Sequence, residues 1–166
     1  METLWAPWRL EYIKGPKAVG CIFCAALAAN DDAENLIVWR GETCFVMLNR
    51  YPYNNGHLMV VPYAHRPGID DLTGEIMGEL MALTQRAISV LRDAMAPNGF
   101  NIGINQGVSA GAGVADHVHL HVVPRWTGDT NFMPVLGATR VLPESLASSY
   151  SLLASGFARE HSVAAE

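Results

Sequence analysis

The chain has 166 residues, enough for one domain with a substantial core. Half of them are hydrophobic, 16% are charged and the formal net charge is −5, which excludes a disordered chain and, without any Lys/Arg-rich run, argues against a nucleic-acid or acidic-membrane binder. The N-terminal stretch "METLWAPWRLEYIKGPK" lacks a continuous apolar h-region, and no 18-residue apolar run occurs, so neither a signal peptide nor a membrane span is expected.

Apolar runs at Leu36–Trp39 and Cys44–Leu48 flank "RGE", with Gly41 at the bend, and read as a hairpin. "YPYNNG" is a turn, and "HLMVVP" after it is a third strand ending at Pro62. Ile76, Leu80, Leu83, Ala87 and Leu91 then recur at helical spacing. Thr73 is the expected N-cap of that helix and "PNG" at 97–99 its stop. "FNIGINQ" is a fourth strand, "GVSAGAGVAD" a glycine-rich loop and "HVHLHVV" a fifth strand. Pro143 opens a last helix with Leu146, Tyr150, Leu153 and Phe157 on one face. Short connections favour an antiparallel sheet, and the long helix must cover one of its faces, so the fold class is α+β. A single domain over 1–166 is expected, with an N-terminal arm at 1–20, a core over about 21–126 and the C-terminal helix over about 143–159.

Three histidines at alternate positions, His117, His119 and His121, occupy one face of the fifth strand, with Val118, Leu120 and Val122 on the other. One metal cannot readily take all three, because His117 and His121 have Cβ atoms roughly 13 Å apart along a strand. The triad must therefore divide its labour. A neutral imidazole can attack an electrophile while a neighbouring one protonates the leaving group. The glycine-rich loop upstream offers successive backbone N–H groups, as an anion-binding nest requires. Together they suggest a phosphate held beside an attacking nitrogen.

Three cysteines are an odd number, so no disulfide framework is expected and a reducing, cytoplasmic setting fits. "CIFC" at 21–24, followed by the helix-like "AALAA", is open to three readings: a redox pair, two inert buried cysteines, or half of a zinc site needing two further ligands. Cys44, inside a strand, reads as core, and His161 as tail.

"GHLMVVP" together with "HVHLHVVPRW" resembles the histidine-triad family of nucleotide hydrolases and transferases, over about Cys21 to Trp126. "LWAPWR" and "GDTNFMPVLGATRVLPESL" resemble its bacterial diadenosine tetraphosphate hydrolases and phosphorylases. The resemblance implies cleavage of dinucleoside polyphosphates through a nucleotidyl-histidine intermediate on His119. His121 would contact the phosphate and leaving group, His117 would orient its neighbours, and His57 would be the fourth histidine of the network. It further implies that Asn49 contacts the ribose, that Asn105 and the backbone of Gly111, Ala112, Gly113 and Val114 hold the α-phosphate, and that Met47 and Leu58 wall the base. Plain sheet core is the other reading of those last two. Ala112 and Gly113 depart from the family's Gln and Ser or Thr, so backbone donors must do more here.

The resemblance also implies a structural zinc on Cys21, Cys24, His65 and His117, Mg²⁺ arriving with the substrate, and a homodimer in which Trp5 and Trp8 cover the partner's site. Two rivals stand beside this reading. One is a zinc-hydroxide hydrolase using two triad histidines directly. The other is a nucleotide-binding module without turnover.

Overall fold

The computed structural model describes residues 20–129 and 144–163. Helix α1 (Ile22–Ala29) starts directly after Cys21 and stops at Asn30, which takes the left-handed conformation. Strands β1 (Ile37–Arg40), β2 (Cys44–Leu48) and β3 (Leu58–Pro62) follow as successive antiparallel neighbours. The long helix α2 (Gly74–Met95) then leads to β4 (Gly99–Ile104), β5 (Leu120–Arg125) and helix α3 (Leu146–Val163). The sheet order is β1-β2-β3-β5-β4, every pairing antiparallel. The expected α+β architecture is thus observed: five strands, one long helix and a C-terminal helix.

Helix α2 begins as its sequence demands. The Thr73 side chain accepts the Ile76 N–H, and Leu80, Leu83, Ala87, Val90 and Leu91 are all buried. With Leu153 and Phe157 of α3 they close over Val46, Leu58, Val60, Leu120 and Val122 of the sheet. Each large aliphatic side chain buried there contributes about 1.5–3 kcal/mol. Ser145 caps α3 by accepting the Ser148 N–H; Pro143, the expected start, lies outside the described residues, as do Trp5 and Trp8. His161 falls within α3 and is not tail.

The opposite face is covered by α1. Phe23 and Ala26 pack there against Ile37, Phe45, Met47, Met59 and Val61. The face away from α2 and α3 is therefore the one that carries His121, which pairs with Met59 and with Gly103.

The fifth strand starts at Leu120, later than the alternating pattern suggests. Its ladder with β3 runs from Leu58↔Val122 to Val60↔Leu120. Pro62 ends β3 and has no N–H to offer. The chain at 117–119 bonds instead to the segment beyond, Val118 N–H donating to the Arg66 carbonyl at 2.7 Å.

Candidate functional site

Four histidines meet on this face, and all four are inside the protein because the sheet and α1 close around them. His57 and His117 are fully buried, and His119 is 4% and His121 8% exposed. Their hydrogen bonds fix which nitrogen carries the proton in each neutral ring. His119 Nδ1 lies 2.9 Å from the His117 carbonyl. A carbonyl only accepts, so Nδ1 holds the proton and Nε2 the lone pair. Burial lowers the His119 pKa, the bond to the His117 carbonyl opposing it.

The same reasoning runs through the other pair. His57 Nδ1 accepts the Tyr53 N–H at 3.1 Å, so its proton sits on Nε2. That nitrogen is 3.0 Å from His121 Nδ1. His121 is therefore the acceptor there and keeps its own proton on Nε2. One ring presents a lone pair, and the next, with centroid 4.8 Å away, presents a proton. Such a juxtaposition suits attack by the first and leaving-group protonation by the second.

His117 serves elsewhere. Its Nε2–H donates to the Pro62 carbonyl at 2.9 Å, which leaves Nδ1 free to be a ligand. Nδ1 sits 3.3 Å from Cys21 Sγ and 3.7 Å from Cys24 Sγ, and His65 Nδ1 is 3.5 Å from Cys24 Sγ. All four donor atoms lie within 4.8 Å of one another. Tetrahedral zinc, with bonds of about 2.3 Å to sulfur and 2.0 Å to nitrogen, separates S from N by about 3.5 Å. Two thiols and two imidazoles at this spacing can hold a metal ion. Burial, then the adjacent Cys21 thiol, holds the Cys24 thiol above its usual pKa. Cys44 is buried apart from this cluster, beneath α2, and burial pushes its thiol up to about 11.

The remaining expected residues divide. Met47 lies on the histidine face, against Phe23 and Met59. Leu58 does not: it pairs with Val122 and is wholly buried in the core under α2 and α3. Since successive strand residues alternate, being next to His57 turns Leu58 away from the site, and the sheet-core reading fits it. Asn49 directly follows β2 beside His57, its Nδ2 3.4 Å from His57 Nδ1 and its Oδ1 accepting the Tyr51 N–H. Asn105 directly follows Ile104, whose partner is Leu120, so continuing the register sets it beside His119.

The glycine-rich loop contains a tight turn at 108–110, with Gly107 and Gly111 both at positive φ. The Gly111 and Ala112 N–H groups bond inside it, to the carbonyls of Val108 and Gly107. Of the four nest donors expected, two are therefore already used by the loop itself. The Val114 side chain packs on the Phe23 cluster.

Two contributors escaped the sequence reading. The Phe23 ring, between the cysteines, lies 5.2 Å from His117 and 4.9 Å from His119 by centroid; the spacing of "CIFC" draws the eye to its ends only. Tyr53 acts through its main chain, which no side-chain pattern announces.

A HIT domain model matches residues 30–128. The chain belongs to the HIT family. Among its relatives, the AP-4-A phosphorylase of Mycobacterium tuberculosis is 42% identical over 96% of this chain and 86% of its own. A zinc-bound histidine triad family protein from Mycobacterium smegmatis superposes with a TM-score of 0.70 at 28% identity, covering 87% of this chain and 97% of that one. A Plasmodium falciparum diadenosine triphosphate hydrolase shares the fold at 16% identity, with a TM-score of 0.61 over 95% of this chain and 97% of its own. No helix of this HIT protein is long and apolar enough to cross a membrane, among the described residues.

Proposed function

We propose that the protein is a nucleotidyl transferase acting on dinucleoside polyphosphates, through a nucleotide held covalently on His119. The observation that carries this is the bond from His119 Nδ1 to the His117 carbonyl, which leaves Nε2 as a buried, fixed nucleophile. In the first step the Nε2 lone pair forms an N–P bond to the α-phosphorus. The bond from that phosphorus to the bridging oxygen breaks, and His121 Nε2 gives its proton to the departing polyphosphate. In the second step an acceptor oxygen attacks the same phosphorus, the N–P bond breaks, and the acceptor's proton returns to His121. The main-chain donors of Gly113 and Val114, with Asn105, face the charge on the non-bridging oxygens. Met47 walls the base, Asn49 reaches the ribose, and Mg²⁺ enters with the polyphosphate.

Zinc, held by Cys21, Cys24, His65 and His117, is structural in this reading. Four protein donors complete a tetrahedron, so no position remains for a reactive water, which disfavours the zinc-hydroxide mechanism. The ion would fasten α1 to the strand that carries His119. A homodimer through the exposed edge strand β4, in the cytoplasm, completes the proposal; Ile102 on that edge is 46% exposed.

The acceptor is either inorganic phosphate or water, and the name of the 42% identical relative favours phosphate. Incubation with diadenosine tetraphosphate, with and without phosphate, decides it. ADP plus ATP only when phosphate is present identifies a phosphorylase, and AMP plus ATP without phosphate a hydrolase. Tight nucleotide binding with no products in either case would leave the binding-module reading in place.

A further inference from the structure

The turn before His57 is tied to the far end of the strand that carries His121. Asn54 Nδ2 donates to the Asp129 carboxylate at 2.8 Å and to the Pro124 carbonyl at 3.2 Å. Asp129 is itself held by Arg125 through two bonds, at 2.7 and 2.8 Å, and accepts the Trp126 N–H. Arg125 also donates to Asn101 on β4. On the other side of the turn, Asn55 donates to Glu144, and the Ser149 hydroxyl of α3 shares its one proton between them, at 3.3 Å from Asn55 and 3.1 Å from Glu144. Asn55 and Ser149 are buried, so these polar groups are matched inside the protein and not merely at its surface.

The position of this cluster is what gives it a role. The β3–β5 ladder ends at Leu58↔Val122, one step from both His57 and His121. Beyond that point no main-chain ladder holds the two segments together. The Asn54–Asp129–Arg125 bonds do so in its place, from three residues before His57 to four residues after His121. Within the turn, His57 N–H donates to the Asn54 carbonyl at 3.2 Å, and the Tyr53 N–H reaches His57 Nδ1. A displaced Asn54 would swing the Tyr53 N–H off the ring.

We propose that Asn54, held by Asp129 and Arg125, is a positioning residue for the His57–His121 pair. It aims the Tyr53 N–H at His57 Nδ1, and so keeps the proton of His121 on Nε2. Its importance for turnover rests on the function proposed above; its effect on the tautomers does not. An imidazole in the wrong tautomer is a poor proton donor however well it is placed.

The test uses full-length protein labelled with ¹⁵N in histidine. Wild type should show His57 and His121 both protonated on Nε2, without substrate. Asn54→Ala should mix the two tautomers, lower kcat for diadenosine tetraphosphate by roughly 10- to 100-fold, and leave KM within about twofold. Asn54→Asp should do the same, because its carboxylate cannot donate to Asp129 or to the Pro124 carbonyl. Asn98→Ala is the control, because the Asn98 side chain accepts the nearby Thr127 N–H, while its main-chain bond to the Arg125 carbonyl is kept by alanine. A folded Asn54→Ala with wild-type tautomers overturns the proposal, and so does an equal tautomer shift in Asn98→Ala. Should Asn54→Ala fail to fold, Asp129→Asn is read by the same criteria. If wild type turns over no dinucleoside polyphosphate, the functional reading fails while the tautomer spectra still judge Asn54.

Discussion

The main chain of His117 orients the side chain of His119: the His119 Nδ1–H donates to the His117 carbonyl at 2.9 Å, while the His117 ring turns to the two cysteines. One residue therefore belongs to the metal cluster by its ring and to the nucleophile by its backbone. Replacing the His119 side chain should leave that backbone in place. His119→Ala is expected to stay folded and to lose about 10⁴-fold or more in turnover, because the His117 lone pair faces the cysteines and the His121 Nδ1 lone pair is taken by His57. Intact-mass spectrometry of wild type mixed with diadenosine tetraphosphate should trap one nucleotide adduct per chain, absent in the variant. Turnover by His119→Ala at the wild-type rate would mean that the attacking atom lies elsewhere.

The metal cluster gives a prediction about stability. A ligand that binds only the folded protein at 100 times its Kd stabilises it by about 2.7 kcal/mol. For a domain of this size that raises the melting temperature by roughly 5–10 °C. Zinc added to chelator-treated protein should produce this rise, and Cys24→Ser should abolish it. A melting temperature indifferent to zinc would remove the ion from Cys21, Cys24, His65 and His117.

Leu58 and Met47 separate packing from binding. Both are buried, and truncation of either to alanine should cost about 2–5 kcal/mol. Only Met47 lies on the histidine face, so only Met47→Ala should raise KM, by severalfold, while Leu58→Ala leaves it unchanged. An equal KM rise in a folded Leu58→Ala would contradict the placement of the two faces.

Leu58 also marks where sequence reading stopped. The strands were legible as short apolar runs between turn residues, buried on both faces, and α2 from its helical spacing and its Thr73 cap. The histidine ladder and the cysteine pair were legible because their chemistry is in their side chains. Proximity in sequence to His57 does not say which face Leu58 takes; that needs the register with Val122. Main-chain donors are equally silent. The Tyr53 N–H that fixes His57, and the Gly111 and Ala112 N–H groups closed within their own turn, depend on backbone torsions that residue identity only constrains. The Asn54–Asp129 bond joins residues 75 apart, and neither "YPYNNG" nor "GDTNF" announces the other as its partner.

Glu79 supplies the pH dependence. Its carboxylate, on α2, accepts the N–H groups of Glu42, Thr43 and Cys44 and the Thr43 hydroxyl, and so ties the β1–β2 turn to the helix. Gly41 suits this turn, since a Cβ there would stand 2.9 Å from the Cys44 carbonyl and would press on the Glu79 carboxylate. Burial works against ionisation, but the four donors outweigh it and hold the Glu79 pKa below its ordinary 4.5. With the folded pKa the lower one, the unfolded chain binds the extra proton between the two values. The stabilisation is thus complete above pH 4.5 and is lost as pH falls through the lowered folded value. Glu79→Gln keeps the shape and one acceptor but not the charge. It should cost about 1–3 kcal/mol at neutral pH, measured by urea unfolding. That gap from wild type should narrow as the pH drops below 4.5. A gap that stays constant through the acid range would show that the carboxylate's charge contributes nothing to holding the turn.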